Sequence, residues 1–251
     1  MSSERRIPLF ERFELETSAY CNRRCPTCMR NSYPDRSLVQ SWFQQELLAT
    51  EVVHSLIDQL ETLDFRGSLC LQHFNEPLLD PRIAELGRYA RGKRRFSSVF
   101  ICTNGDLIDQ RRASELDGAF DALVVTFYAN PSEASARAGR LVSLFRETQI
   151  VFNTIHLVTH YSPDPRLSAL VQEARALPCV QGCRFRMVVN HRGDMLLCCD
   201  DLVGHFDLGN VRDRTLEELW YNEKHQQMLL DLERPGGRSA YRHCSICPRR
   251  D

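Results

Sequence analysis

No apolar run in this 251-residue chain approaches the ~20 residues that a membrane helix needs. The opening Met1-Ser2-Ser3-Glu4-Arg5-Arg6 has no apolar stretch of the kind a signal peptide carries. Neither sign of charge is in excess: 32 basic residues stand against 33 acidic ones, for a net charge of −1. No acidic or basic bias marks a nucleic-acid or membrane partner. The cluster Arg91, Lys93, Arg94 and Arg95 is short and reads as a solvated loop after a helix. No internal repeat or low-complexity segment stands out. These absences predict a cytoplasmic protein, a monomer, with neither nucleic acid nor membrane as partner. Cysteine is not scarce. Eleven cysteines in a chain without an export signal argue against a disulfide framework and for metal.

Three of them form the run Cys21-Asn22-Arg23-Arg24-Cys25-Pro26-Thr27-Cys28, a C-x3-C-x2-C spacing directly after a short alternating strand. A loop this tight can set three thiolates on three corners of a cubane [4Fe–4S] cluster, which usually takes four. A fourth local cysteine is missing, so one iron keeps an open position for a small chelating ligand. Zinc is the competing occupant. It prefers four ligands in paired C-x2-C units, and three cysteines without a nearby histidine fit it poorly. The other cysteines are Cys183, Cys198, Cys199, Cys244 and Cys247, with Cys70, Cys102 and Cys179 standing apart. Cys70 and Cys102 fall inside apparent strands and read as small buried hydrophobes.

From Phe13 to about Leu177, strand-like and helix-like stretches alternate. Strands are expected at 13–17, 68–74, 98–102, 122–127 and 150–158. Helices are expected at 42–63, from Asp80-Pro81 to about Gly92, and at 110–116, 131–148 and 165–177. Alternation of this kind implies parallel βαβ units. The units are too few to close an eight-fold barrel. The expected fold is therefore α/β, a partial open barrel with its chemistry at the C-terminal ends of the strands. After Pro178 the pattern changes to two strands, 185–189 and 195–199, joined at His191-Arg192-Gly193-Asp194. A helix over 216–232 and a Gly/Pro break follow. Two domains are expected, 1–177 and 178–251.

The cysteine spacing resembles that of the radical S-adenosylmethionine (SAM) enzymes. In that family the amino and carboxylate groups of SAM occupy the open iron, an electron from the cluster cleaves SAM, and the resulting radical removes hydrogen from substrate. Phe74-Asn75-Glu76-Pro77-Leu78-Leu79 resembles the family's G-E-P-L-L region, with Asn75 where glycine is common. The resemblance implies that Glu76 accepts a hydrogen bond from the SAM ammonium, a charge-assisted bond. Thr103-Asn104-Gly105 resembles the family's T-N-G beside the ribose and methionine moieties. Thr126 and Asn153 are weaker candidates for ribose contacts. Thr27 stands where the family often has an aromatic residue near the adenine, so adenine packing does not carry over.

Cys183, Gly193 and Cys198 give C-x9-G-x4-C, and Cys244 and Cys247 add C-x2-C. This resembles the twitch domain, the shorter form of the SPASM extension in radical SAM enzymes, a β-hairpin and helix holding one auxiliary [4Fe–4S] cluster on four cysteines. Cys198 fits the G-x4-C spacing and is preferred to Cys199; a four-cysteine zinc site is the alternative. The resemblance covers Phe13 to Cys247 and implies two [4Fe–4S] clusters, SAM, a small-molecule substrate, and an electron donor such as flavodoxin or ferredoxin. The layout is closest to a cyclitol dehydrogenase of the family, whose substrate-side residues differ here. Its substrate-binding arginine falls near His160-Tyr161, and its aromatic-glutamate pair is Cys199-Asp200. Oxidation of a sugar, cyclitol or related natural product is the leading expectation, with Asp200, His160 and Tyr161 as base or substrate-anchoring groups. Redox-neutral epimerisation with Cys199 as hydrogen donor is the alternative. A peptide-modifying maturase is the third reading. It is disfavoured because about twelve residues precede the first strand, too few for a leader-peptide domain.

Overall fold

The computed structural model describes residues 5–44, 46–127, 131–153, 160–161, 164–179 and 185–250, with the backbone alone over 131–134. In chain order the elements are β1 (Arg12–Leu15), α1 (Met29–Ser32), α2 (Arg36–Trp42), α3 (Thr50–Thr62), β2 (Ser68–Cys70), α4 (Ile83–Gly92), β3 (Ser98–Thr103), α5 (Gln110–Leu116), β4 (Ala122–Thr126), α6 (Pro131–Val142), β5 (Gln149–Asn153) and α7 (Leu167–Arg175). The hairpin strands β6 (Arg186–Val189) and β7 (Met195–Leu196) follow, then α8 (Leu216–Trp220), α9 (Glu223–Leu232) and α10 (Arg242–Ser245). Contacts divide the chain into two compact units: 1–13, 23–44 and 157–251 in one, 14–22 and 45–156 in the other. This division differs from a single cut at 177/178, because the N-terminal segment and residues 23–44 cluster with the C-terminal part.

The unit of 45–156 is an open parallel sheet. β2 pairs with β3, β3 with β4 and β4 with β5, all parallel. β3 and β4 alternate buried and half-buried residues, the period-2 signature of a sheet with two unlike faces. Val53, Leu56, Ile57 and Leu60 of α3 and Ile83, Leu86 and Ala90 of α4 are buried. α4 comes so close to the loop after α5 that a Cβ on Gly87 would lie 2.6 Å from the Ala119 carbonyl oxygen and the Phe120 ring, so only glycine fits there.

Three expected helices are shorter or divided. Of the helix expected over 42–63, Thr50–Thr62 forms α3, because residues 46–48 run extended beside 17–19: Leu48 N–H donates to Thr17 O and Ala19 N–H to Glu46 O, both at 3.0 Å. Apolar periodicity continues through the break, since an extended segment that packs inward also needs apolar residues. The helix expected to reach Thr148 ends at Val142. The Asp117 carboxylate accepts from the backbone N–H groups of Arg146, Glu147 and Thr148 at 3.0, 2.9 and 2.9 Å, which holds that segment out of a helix. The helix expected over 216–232 divides into α8 and α9, where the Asn222 side chain caps Lys224 N–H at 2.9 Å. Of the strand expected over 150–158, Gln149–Asn153 forms β5, and 154–158 lie outside the described residues. Asp80 accepts from Arg82 N–H, and α4 itself begins at Ile83.

In the other unit β6 and β7 pair antiparallel, Val188 opposite Leu196 and Val189 opposite Met195. Their turn contains Gly193 at φ +86°, a conformation glycine adopts without strain. Trp220 is fully buried, packs edge-on against Phe10 at 5.1 Å, and donates its indole N–H to Pro8 O at 2.9 Å. Ile7 N–H donates to Gln226 Oε1 at 2.8 Å. The chain's first described residues are thus anchored on α8 and α9.

Arg82 braces the approach to the first cysteine. Its guanidinium makes a two-point pair with the fully buried Asp80 at 3.0 and 2.9 Å and donates to Leu48 O at 2.8 Å, Thr50 Oγ1 at 2.9 Å and Thr17 O at 3.4 Å. Arg82→Ala should lower stability by about 3 kcal/mol, since removing one partner leaves Asp80 charged and buried. Arg82→Lys should recover little, because an ammonium lacks the fork. Urea unfolding midpoints check this, and a loss below ~1 kcal/mol would remove Arg82 from this role.

Candidate active site

The C-terminal ends of the parallel strands carry the first half of the site. After β2 the chain turns through Phe74-Asn75 into Glu76, which caps a short 3-10 turn over Pro77–Leu79. The Glu76 carboxylate is 2% exposed. Its Oε1 accepts from Thr103 Oγ1 at 2.6 Å and Leu78 N–H at 3.1 Å, and its Oε2 from Asn104 N–H at 2.8 Å. Burial pushes this carboxyl above its ordinary range, and the Thr103, Asn104 and Leu78 bonds offset part of that rise. A carboxylate offers about four acceptor positions, so Oε2 retains one. Asn75 accepts from His73 N–H at 3.1 Å and donates to Ser18 Oγ at 3.2 Å.

Two hydrogen bonds bracket Cys21. Tyr20 O accepts from Glu76 N–H at 2.7 Å, and Asn22 Oδ1 accepts from Asn104 Nδ2 at 2.8 Å. The first cysteine is thereby brought together with Glu76, Thr103 and Asn104, as their motifs imply. Asn22 is a residue the sequence reading passed over, although its place inside the cysteine run was a signal. Thr126 and Asn153 end β4 and β5 as register partners, both half-buried.

Cys25 and Cys28 belong to the other unit, where Cys28 N–H donates to Cys25 O at 3.1 Å and Cys28 is the N-cap of α1. The Asn31 side chain holds Cys25 O at 3.1 Å and Ser32 Oγ holds Cys28 O at 3.2 Å. Cys21, Cys25 and Cys28 are all half-buried and none is in a disulfide.

A second cysteine group lies in the same unit as Cys25 and Cys28. Burial pushes the Cys198 thiol well up, and Cys199, Asp200, Asp201 and Cys244 add to it. Cys244 is raised by burial and by its neighbours Cys179 and Cys247. Cys247 is pushed up to about 12 by burial, with Asp200 and Cys179 among the contributors. Cys179, which stood apart in sequence, is thus close enough to raise both Cys244 and Cys247. Cys183 lies outside the described residues. In sequence, Cys179 through Gly193 to Cys198 has the spacing C-x13-G-x4-C, beside the C-x9-G-x4-C that begins at Cys183.

Around these thiols are the expected substrate-side residues. Asp200 is buried and engaged by Arg249 through two bonds of 2.6 and 2.9 Å. Burial favours its neutral form, but the Arg249 guanidinium outweighs that and keeps the carboxyl below its ordinary value. His160 is buried, and burial, with His243 beside it, lowers it to about 3, so the ring is neutral near pH 7. Its ring nitrogens have no partner among the described residues. One nitrogen of His160, an oxygen of Asp200 and the Cys247 sulfur lie within 4.8 Å of one another. Tyr161 and Cys199 are half-buried.

A family model of the radical SAM superfamily matches residues 15–144, and one of the SPASM iron–sulfur cluster-binding domain matches residues 179–248. The chain belongs to the radical SAM superfamily. Among curated proteins it is similar to the S-adenosyl-L-methionine-dependent 2-deoxy-scyllo-inosamine dehydrogenase of Niallia circulans, 25% identical over 223 residues, 86% of this chain and 84% of that one. Its fold is similar to that of BtrN in complex with AdoMet and 2-DOIA, with a TM-score of 0.74, 21% identity and 97% of each chain covered. It is also similar to native anSMEcpe with bound AdoMet and Kp18Cys peptide, with a TM-score of 0.63, 16% identity, and 96% of this chain and 88% of that one covered. The expected radical SAM fold with an open sheet is thus the observed one, and the chain is a radical SAM enzyme whose cofactors are SAM and iron–sulfur clusters. No helix among the described residues is long and apolar enough to cross a membrane.

The donor chemistry fits these cofactors. Thiols that burial keeps protonated when metal-free are ones a cluster deprotonates on binding. The SPASM match begins at Cys179. On iron analysis after anaerobic reconstitution, Cys179→Ala should lose about four irons, the content of one cluster, and Cys183→Ala should lose none. The reverse pattern would return the fourth ligand to Cys183.

Proposed function

We propose that this radical SAM enzyme is a dehydrogenase of a small, alcohol-bearing molecule. The observation that carries this reading is the pair of hydrogen bonds from Glu76 and Asn104 to the residues flanking Cys21. They gather a cluster ligand and the candidate SAM-binding groups in one place. When bound, SAM and its cluster supply hydrogen-atom abstraction, and an auxiliary cluster supplies an acceptor for a second electron. Cys21, Cys25 and Cys28 hold the first cluster. Cys198, Cys244 and Cys247 hold the auxiliary one, with Cys179 as fourth ligand in place of Cys183. Glu76 offers its remaining acceptor position to the SAM ammonium. Thr103, Asn104, Thr126 and Asn153 bind polar groups of SAM along the ends of β3, β4 and β5. Asn75 positions the Glu76 turn through its bonds to His73 and Ser18.

The relative's printed name, a dehydrogenase of 2-deoxy-scyllo-inosamine, supports oxidation of a cyclitol-like substrate. Asp200 is a substrate anchor rather than a base, because Arg249 holds it ionised. His160 stays neutral and offers hydrogen bonds. Flavodoxin or ferredoxin serves as reductant, and the enzyme works as a cytoplasmic monomer, with 1–177 as the SAM-binding half and 178–251 as the auxiliary half.

Glu76→Gln should weaken SAM binding by about 1.5–3 kcal/mol, the worth of a hydrogen bond to a charged group. Equilibrium binding of SAM to anaerobic enzyme measures this, and unchanged affinity would show that the ammonium sits elsewhere. For the reaction, the product should be two hydrogens lighter than substrate, with one SAM consumed per product and only priming reductant needed. Mass spectrometry of turnovers in D2O separates the alternatives. A product of unchanged mass number save one added deuterium, absent in Cys199→Ala, would replace oxidation by epimerisation.

A further inference from the structure

The segment after Cys28 and the segment after Cys198 meet through side chains that neither cysteine motif contains. The fully buried Asp201 accepts from His205 Nδ1 at 2.7 Å and from His205 N–H at 2.9 Å. An ionised carboxylate only accepts, so Nδ1 carries the proton. In a neutral ring Nε2 is then bare. The Tyr33 hydroxyl lies 3.0 Å from that Nε2 and toward a neutral ring is the donor. Tyr33 has one proton to give, so toward the neighbouring Tyr161 hydroxyl its oxygen is the acceptor. The two phenol rings pack edge to face at 4.9 Å. The result is a chain with one direction: Tyr161 to Tyr33 to His205 to Asp201.

Two members of this chain adjoin the cysteine motifs. Tyr33 caps the C-terminus of α1, whose N-cap is Cys28. Four helical residues advance about 6 Å, so Tyr33 is one helical turn from a SAM-cluster ligand. Asp201 donates its N–H to Cys198 O at 3.2 Å, next to the auxiliary thiols. His205 keeps 22% of its side chain exposed, an exit for a proton. The other groups facing the chain are His243, stacked on His205 at 4.1 Å, with His160 stacked behind it at 4.2 Å, and Asp35 and Arg242 near Tyr33.

We propose that Tyr161, Tyr33, His205 and Asp201 form a proton relay that takes the hydroxyl proton of the substrate during its oxidation. The proposal rests on the dehydrogenase reading. In the relay step the substrate O–H bond breaks and an O–H bond forms on Tyr161, whose own proton passes to Tyr33 while that of Tyr33 passes to Nε2. One proton moves and no electron. The step ends as imidazolium beside carboxylate, a pair that Asp201 stabilises. Burial raises both phenols above their ordinary values, which disfavours a lone tyrosinate and suits hydroxyls that give a proton as they take one. Tyr161 is the catalytic residue; Tyr33, His205 and Asp201 act through it.

The test compares wild type with Tyr33→Phe, which keeps the ring and removes the link, and with His205→Gln. Both variants should keep full iron content and SAM cleavage, yet form at least tenfold less oxidised product per 5′-deoxyadenosine, in the range of general acid–base effects. Nitrogen NMR of the purified protein should show His205 with its proton on Nδ1, and its Nε2 resonance should move in Tyr33→Phe. If both iron-replete variants keep the wild-type ratio, the relay is wrong. If wild type itself yields no product two hydrogens lighter, the dehydrogenase reading fails instead. Should Tyr33→Phe lose iron, His205→Gln and the NMR assignment decide.

Discussion

One buried carboxylate organises the C-terminal end of the parallel sheet. Glu76 lies in an environment that disfavours its charge, and it is held there by donors from Thr103, Asn104 and Leu78. Those donors come from the end of β3 and from the turn after β2. The same residue gives its N–H to Tyr20, next to Cys21. Strand ends, which are otherwise free to fray, are therefore tied to each other and to the cysteine loop. A hydrophobic side chain at 76 could fill the space, but it would leave three donors without an acceptor, each costing roughly 1–3 kcal/mol. The geometry is over-determined in the way that sites requiring a fixed distance between a metal and an anchoring charge demand.

The second organising pair is Asp200 and Arg249. It lies among Cys198, Cys199 and Cys247, and fixes the C-terminal segment that carries the last two cysteines. Arg238 extends this bracing. Its buried guanidinium donates to Arg249 O at 2.6 Å and to Pro178 O at 3.2 Å, joining the residues on either side of the auxiliary cysteines. Pro178 precedes Cys179, and Arg249 follows Cys247. One arginine thus ties the backbone just before Cys179 to the backbone just after Cys247.

Local motifs were legible in the sequence because they are local. C-x3-C-x2-C, Asn75-Glu76-Pro77 and Thr103-Asn104-Gly105 each encode a turn at a strand end, and parallel strands deliver those ends to one edge. The parallel pairing of the strands followed from alternation for the same reason. What was not legible depended on partners far along the chain. The helix expected through residue 45 breaks because 46–48 align with 17–19, and the helix after Pro131 stops because Asp117, some thirty residues earlier, captures three N–H groups. Periodicity has no term for either. The choice between Cys179 and Cys183 was likewise ambiguous in spacing and turns on which thiol neighbours Cys244 and Cys247. Tyr33 and His205 carry no motif at all, and only a contact across 172 positions relates them.

The anchoring of the first residues on α8 and α9 has a consequence for biosynthesis. Ile7 waits for Gln226, and Pro8 for Trp220, separations of 219 and 212 positions. The parallel sheet of 45–156 has its own strands and helices complete long before synthesis ends. The unit that contains Cys25 and Cys28 does not, since it waits for Trp220 and Gln226 far along the chain. On a ribosome the sheet of 45–156 can therefore fold while the unit that holds Cys25 and Cys28 still waits for Trp220 and Gln226. Topology alone thus makes the unit of Cys25 and Cys28 the later of the two to close.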